Sequence, residues 1–185
     1  RDGHVIEITE DGNRVDAQTF TWDLLLVCGD PATETQTYFA GYDITQVSPI
    51  SCPDNVAFDS QGNLWISTDG APDKIQFNDG LFKVPVEGPE RGKVEQFLSV
   101  PKQAETCGPV INDLEHMVYV CVQHPGEDGV FEEPESYFPD FANSSIGART
   151  SNAGERFGYL PHPRPSVVQV YRTNQSQNGN GKGRG

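Results

Sequence analysis

Two stretches of this chain match when one is slid 53 positions along the other, so that Phe58, Leu64, Trp65 and Ile66 fall on Ile111, Met117, Val118 and Tyr119. In each copy two strand-like runs are joined by a short polar turn, "DSQGN" in the first and "NDLEH" in the second. A further alternating run follows each pair, Leu81 to Val86 and then Val167 to Tyr171. Repeats of about this length, with about four strands each, are the sequence mark of propeller blades. Strand signals dominate elsewhere too, and no window carries a convincing helical period. The repeat therefore predicts an all-β fold, with the chain supplying about three blades of a β-propeller. Closure needs at least about four blades. The set is then incomplete, and the chain reads as a fragment of a longer protein, in keeping with Arg1 opening directly on "DGHVIEI".

The individual strands follow from period-two patterning. "HVIEI" (4–8) alternates, and "DLLLVCG" (23–29) is a continuous apolar run suited to a strand buried on both faces. "NVAFD" and "NLWIS" flank the Gly-containing turn, where Asp59 reads as turn chemistry away from any channel. "GLFKVPV" (80–86) alternates up to Pro85, which marks a strand end or edge. "KVEQFLSV", "PVIND", "MVYVCVQ" and "SVVQVYR" complete the set. Blades are thus expected over 1–125, an acidic irregular insertion over 126–163, a final strand over 164–173 and a disordered tail over 174–185.

Charge narrows the function. A net charge of -14 and a pI near 4.5 argue against nucleic acid as a specific partner, because a binder of phosphate backbones carries a basic patch. The surplus carboxylates suit either a solvated surface or a cation-binding protein. No run approaches the ~20 apolar residues of a membrane helix. Cysteines stand at 28, 52, 107 and 121 with no C-x-x-C pair, which supports neither a zinc site nor a redox motif. Free thiols and, in an exported protein, a disulfide both remain open.

Oxygen ligands concentrate at the ends of the first hairpin. In a propeller, the turn leading into each innermost strand reaches the mouth of the central channel. Asp54 and Asn55 occupy such a turn, and "AETCGP" in the next repeat brings Glu105 to the equivalent place. Two carboxylates and an amide carbonyl suit Ca²⁺, Mg²⁺ or Mn²⁺, and they are expected within about 5–6 Å of a common point. Asp54 and Asn55 equally suit a backbone-bonding turn, and Asp69 before Gly70 reads as a routine turn signal. In "VQHPGE", His124 and Glu127 follow an apolar strand and can overhang the same rim, His124 as metal ligand, phosphate donor or acid. Arg164 precedes the last strand, where a guanidinium can clamp an oxyanion or pair with a surface carboxylate.

The phrases "TFTWDLLLVCGDP", "CPDNVAFDSQGNLWISTDG", "GLFKVPVEGPERG", "AETCGP", "VQHPGE" and "PRPSVVQV" occur in this order along the chain. Together they resemble the C-terminal part of the PhoX-type bacterial alkaline phosphatases, a calcium-dependent family. They cover nearly everything but the acidic insertion and the tail. The resemblance implies a six-bladed propeller, exported by a twin-arginine signal to the periplasm or beyond, that hydrolyses phosphate monoesters with Fe³⁺ and Ca²⁺ in its channel. Asp54 and Asn55 match the family's metal-binding "PDN" segment and Glu105 its "AE". Glu127 falls on a motif near the site as a further ligand, with His124 and Arg164 as catalytic groups. The iron ligands belong largely to a part of the family that lies outside this chain, so neither Cys52 nor Cys107 is given that role. The expected protein is a monomer acting on a phosphate monoester. A calcium-dependent propeller lactonase and a non-catalytic calcium-stabilised binding propeller are the alternative readings.

Overall fold

The structure is a computed structural model that describes residues 1–140 and 162–173. The expected tail and much of the expected insertion lie outside the described residues. Ten strands form three antiparallel sheets, with little helix, and none of the sheets closes into a barrel among the described residues.

The first sheet contains β1 (His4–Glu10), β2 (Phe20–Val27) and β3 (Tyr38–Phe39). The second contains β4 (Pro53–Phe58), β5 (Leu64–Thr68), β6 (Gly80–Val84) and β7 (Glu95–Ser99), in that order. In the third, β9 (Met117–Gln123) lies between β8 (Glu105–Asn112) and β10 (Ser166–Tyr171). Strand β6 ends at Val84, just before Pro85, whose missing N–H cannot continue the ladder. A short helix, α1 (Ala71–Ile75), interrupts the β5–β6 connection. Five residues are too few to leave a helical period in the sequence.

Successive sheets stack face to face through shared apolar cores. Leu25, Leu26 and Phe39 of the first sheet pack with Leu64, Ile66, Phe82 and Val84 of the second. On the second sheet's other face, Trp65 and Leu81 pack against Val118 of the third. Strand β5 serves both cores, since alternate side chains leave a strand on opposite faces. Its five residues are consequently all buried. Gly92, at φ 83, lies where a Cβ would collide with the Phe39 carbonyl, which allows the turn after β6 to seat on the first sheet.

The stack ends differently on its outer faces. Of the run 23–29 expected to be covered on both sides, Leu25, Leu26, Cys28 and Gly29 are buried and Val27 half-buried, whereas Asp23 and Leu24 are exposed. The outer face of β2 carries Phe20, Trp22 and Leu24 beside Ile6 and Ile8 of β1. Trp22 is 58% and Phe20 57% exposed, because among the described residues no sheet lies over them. Among the described residues no helix is long and apolar enough to cross a membrane.

Candidate functional site

The register of two strands builds the candidate site. Pro53 pairs with Thr68, the ladder slips, and pairing resumes at Val56 with Ile66. Asp54 and Asn55 are thereby crowded opposite Ser67, in a bulge that re-aims their side chains. They lie inside β4, not in a turn ahead of it as expected. Strand β8 repeats the device: Cys107 pairs with Cys121, and pairing resumes at Val110 with Tyr119, leaving Gly108 and Pro109 in the bulge. Comparing these ladders corrects the repeat. Strand β9 follows β5 by 53 positions, but Asn112 pairs with Met117 where Phe58 pairs with Leu64, so β8 follows β4 by 54. The second hairpin turn is one residue shorter, and Glu105 is the counterpart of Ser51 rather than of Asp54.

The two bulges touch. Gly108 N donates to Asn55 Oδ1 at 3.0 Å, at a glycine whose φ of 58 lies in the left-handed region. One lone pair of the Asn55 carbonyl is therefore committed to holding β4 beside β8. Glu105, at the start of β8, is buried, and its Oε2 accepts from the Gln123 side-chain amide. The same oxygen lies 3.2 Å from His124 Nε2. His124 has a φ of 32 and directs Nδ1 to within 3.3 Å of Glu127 Oε2, out of line for a hydrogen bond, so that buried nitrogen is left without a partner. A row Glu105–His124–Glu127 results. Asp54 and Asp69 are exposed beside it. Arg164 binds Asp140 at 2.9 Å and donates its backbone N–H to Phe138 O, the surface pairing that the sequence left open.

The carboxylates sense one another. Asp69, although its side chain reaches solvent, is raised from its ordinary value by partial desolvation, and Asp79 and Asp54 add to the rise while His124 opposes it. Glu105 is raised by burial and then by Asp69, against the pull of His124. Burial alone would lower His124, but its bond to Glu105 and the nearby charge of Glu127 outweigh that and raise it. Asp69, read from sequence as a turn residue, thus belongs to the same electrostatic field as Asp54 and Glu105. Gln123 was missed altogether, because its role depends on being the cross-strand partner of Glu105. Among the described residues no three His, Cys, Asp or Glu side chains are gathered at metal-ligand spacing.

The opposite end of the hairpin contrasts with this. Asp59 accepts from Gln61 N, Asn63 N, the Asn63 amide and Trp65 Nε1, the last at 3.1 Å, with Lys83 Nζ 3.3 Å away. Burial would raise its pKa, but these bonds, led by those from Asn63, hold it at about 2. Asp59 is therefore an internal anchor and not the plain turn residue expected. Asp113, in the next hairpin turn, accepts from Ser60 N at 3.2 Å and is likewise held low by its bonds to Ser60.

A family model described as "Alkaline phosphatase PhoX" matches residues 1–126. The chain belongs to the PhoX alkaline phosphatase family. Among solved structures it is similar to Pseudomonas fluorescens PhoX in complex with vanadate, a transition state analogue, with a TM-score of 0.66 and 25% sequence identity. That match covers 92% of this chain and 26% of the Pseudomonas chain, so the chain spans about a quarter of the length of its PhoX relative. None of the curated proteins matches.

Proposed function

We propose that this chain is the part of a metal-dependent phosphatase that supplies carboxylates to a site hydrolysing phosphate monoesters. The observation that carries the reading is the raised pair Asp69 and Glu105 beside Asp54, in a chain whose PhoX family membership spans residues 1–126. Carboxylates held up by burial and mutual repulsion are in the electrostatic condition that a bound cation relieves. The vanadate complex of the Pseudomonas protein supports phosphoryl chemistry for that relative.

The donor set is all hard oxygen and fits calcium in kind. Asp54, Glu105 and Glu127 would hold the ion, joined by Asp69 and by the remaining lone pair of Asn55. A bound calcium ion supplies positive charge against the equatorial phosphate oxygens as the ester bond breaks. Among the described residues no ligand set is gathered for the expected Fe³⁺. Within the chain, the Glu105 carboxylate raises the His124 pKa and so favours its protonated form, from which Nε2 or Nδ1 can donate a proton to a phosphate or leaving-group oxygen. Arg164 would clamp a phosphate oxygen only by exchanging Asp140 for it.

The same reading makes the three sheets successive blades of a propeller that is six-bladed in the family, with β4 and β8 innermost. Their side-by-side packing and the bulge-to-bulge bond support this, as does the uncovered apolar face of β1 and β2, where a further blade would lie. In this scheme blades occupy 1–125, an insertion 126–163 and a closing strand 164–173. The protein would act as a monomer in the periplasm or outside the cell. The test uses the full-length protein carrying this segment. Nitrophenyl phosphate hydrolysis that a chelator abolishes and calcium restores is the expected result. Hydrolysis of a lactone in its place, or neither activity, would overturn the reading.

A further inference from the structure

Cys107 and Cys121 are direct cross-strand partners at the last paired position before the β8 bulge. Opposite residues of an antiparallel pair have Cα atoms about 4.5–5.5 Å apart and project their side chains from the same face. That spacing lies inside the roughly 4.4–6.8 Å that a disulfide spans. The face is the one turned away from the second sheet, since Val118, Val120 and Val122 fill the opposite side of β9. Both cysteines are free thiols and only half-buried. Cys28, by contrast, is buried beyond the end of β2, and Cys52 precedes β4, so neither faces another cysteine across a ladder.

We propose that Cys107 and Cys121 are a disulfide-forming pair that braces β8 to β9 beneath Glu105. Glu105 pairs with Gln123 two positions from the Cys107–Cys121 pair, and Gln123 also accepts a weak bond from Cys107 Sγ at 3.7 Å. A covalent link there fixes the separation of the two strands where the Glu105–Gln123 bond forms. The co-reactant is a low-molecular-weight or protein disulfide. One thiolate attacks it, forming a mixed disulfide and releasing one thiol. The second cysteine then displaces the other half, the Cys107–Cys121 bond forms, and a second thiol leaves carrying the remaining proton.

The single methionine gives a direct test, because Met117 separates Cys121 from the other three cysteines. The purified chain is treated with oxidised glutathione, blocked and cleaved after Met117 with cyanogen bromide. Free thiols should fall from four to two per chain, the chain should stay monomeric, and the two fragments should remain joined until reduced. In the C28S/C52S variant free thiols should fall from two to none and the fragments should again stay joined until reduced, while C107S should release its fragments without reductant. Fragments that separate in the oxidised wild type would overturn the pairing. So would fragments still joined in C107S, fragments released in C28S/C52S, or a disulfide-linked dimer. None of these readouts involves phosphatase activity, so the result stands apart from the functional reading.

Discussion

At the turn end of the β4–β5 hairpin, Asp59 is saturated with donors and held at about 2. At the open end, Asp69 is raised, as is Glu105 on the neighbouring β8. Carboxylates at the two ends of one hairpin are driven in opposite directions. The difference lies in what the fold places around them. At the turn, backbone and indole N–H groups point inward and leave the charge no unmet need. At the open end, carboxylates face one another with few donors between them. Asn55 is already bound to Gly108 there, and the group that opposes the rise at Asp69 is His124. A group met by many N–H donors is finished chemically; a group met by its own kind is waiting for a cation.

Substitution on the two sides breaks the comparison most directly. Asp54→Asn in the full-length enzyme should lower turnover at least about a hundredfold, since each ~1.4 kcal/mol of lost transition-state stabilisation is tenfold. Raising calcium should recover part of it, because hard-ion affinity depends on ligand charge. Asp54 is exposed, so unfolding free energy should change by no more than about 0.5 kcal/mol. Steady-state kinetics and urea unfolding of the same preparation decide it. Equal loss of stability and activity would mark Asp54 as a fold residue.

Asp59→Asn should give the mirror result. Removing a buried charged acceptor costs about 2–3 kcal/mol, while activity per folded molecule stays intact. Urea titration measures the first and active-site titration the second. Lost activity in the folded fraction would erase the distinction between the ends.

Acid sharpens the same point. Asp59 is depressed from 3.8 to about 2, so its stabilisation is fully present above pH 3.8 and disappears as pH falls through about 2. It amounts to about 2 kcal/mol. The stability gap between wild type and Asp59→Asn should therefore narrow by that amount from pH 5 to pH 2, as followed by urea unfolding. A constant gap would show that the carboxylate's charge is irrelevant.

The smallest effect has the opposite sign. The folded-state pKa of Asp69 is raised, so its ionised form disfavours the fold above that pKa, and protonation on acidification relieves the cost. Asp69→Asn should raise Tm by roughly 1–2 °C at neutral pH without calcium, since solvent screens this exposed charge. Differential scanning calorimetry in a chelator should show the rise, and excess calcium should reverse the order of the two proteins. A fall in Tm under chelation would remove Asp69 from the repelling group.

The strands were legible in sequence because "NVAFD", "NLWIS" and "MVYVCVQ" carry period-two patterning or unbroken apolar runs, which burial imposes directly on composition. Their register was not. A bulge adds a residue without altering the alternation on either side, so Asp54 and Asn55 looked like a turn before a strand. The one-residue difference between the hairpin turns hid in the same way and shifted the expected counterpart of Glu105. Asp59 was misread because "DSQGN" is the same string whether its carboxylate meets water or Trp65 and Lys83. Trp65 lies on β5 and Lys83 on β6, both outside the turn string itself. Asp69 was discounted for the converse reason: its environment comes from Asp54 and Asp79 by tertiary approach.

Strand β5 gives the molecule an internal clock. Its residues are buried through both faces, it is paired on each edge by β4 and β6, and it belongs to two cores at once. An amide in β1 can lose its proton to solvent by local fraying at the uncovered face. An amide at Trp65 or Ile66 can do so only when both neighbouring sheets come apart together. In deuterated buffer, the exchange lifetime of these few positions reads the cooperative unfolding of the whole stack, while exchange in β1 reads the local opening of its first layer.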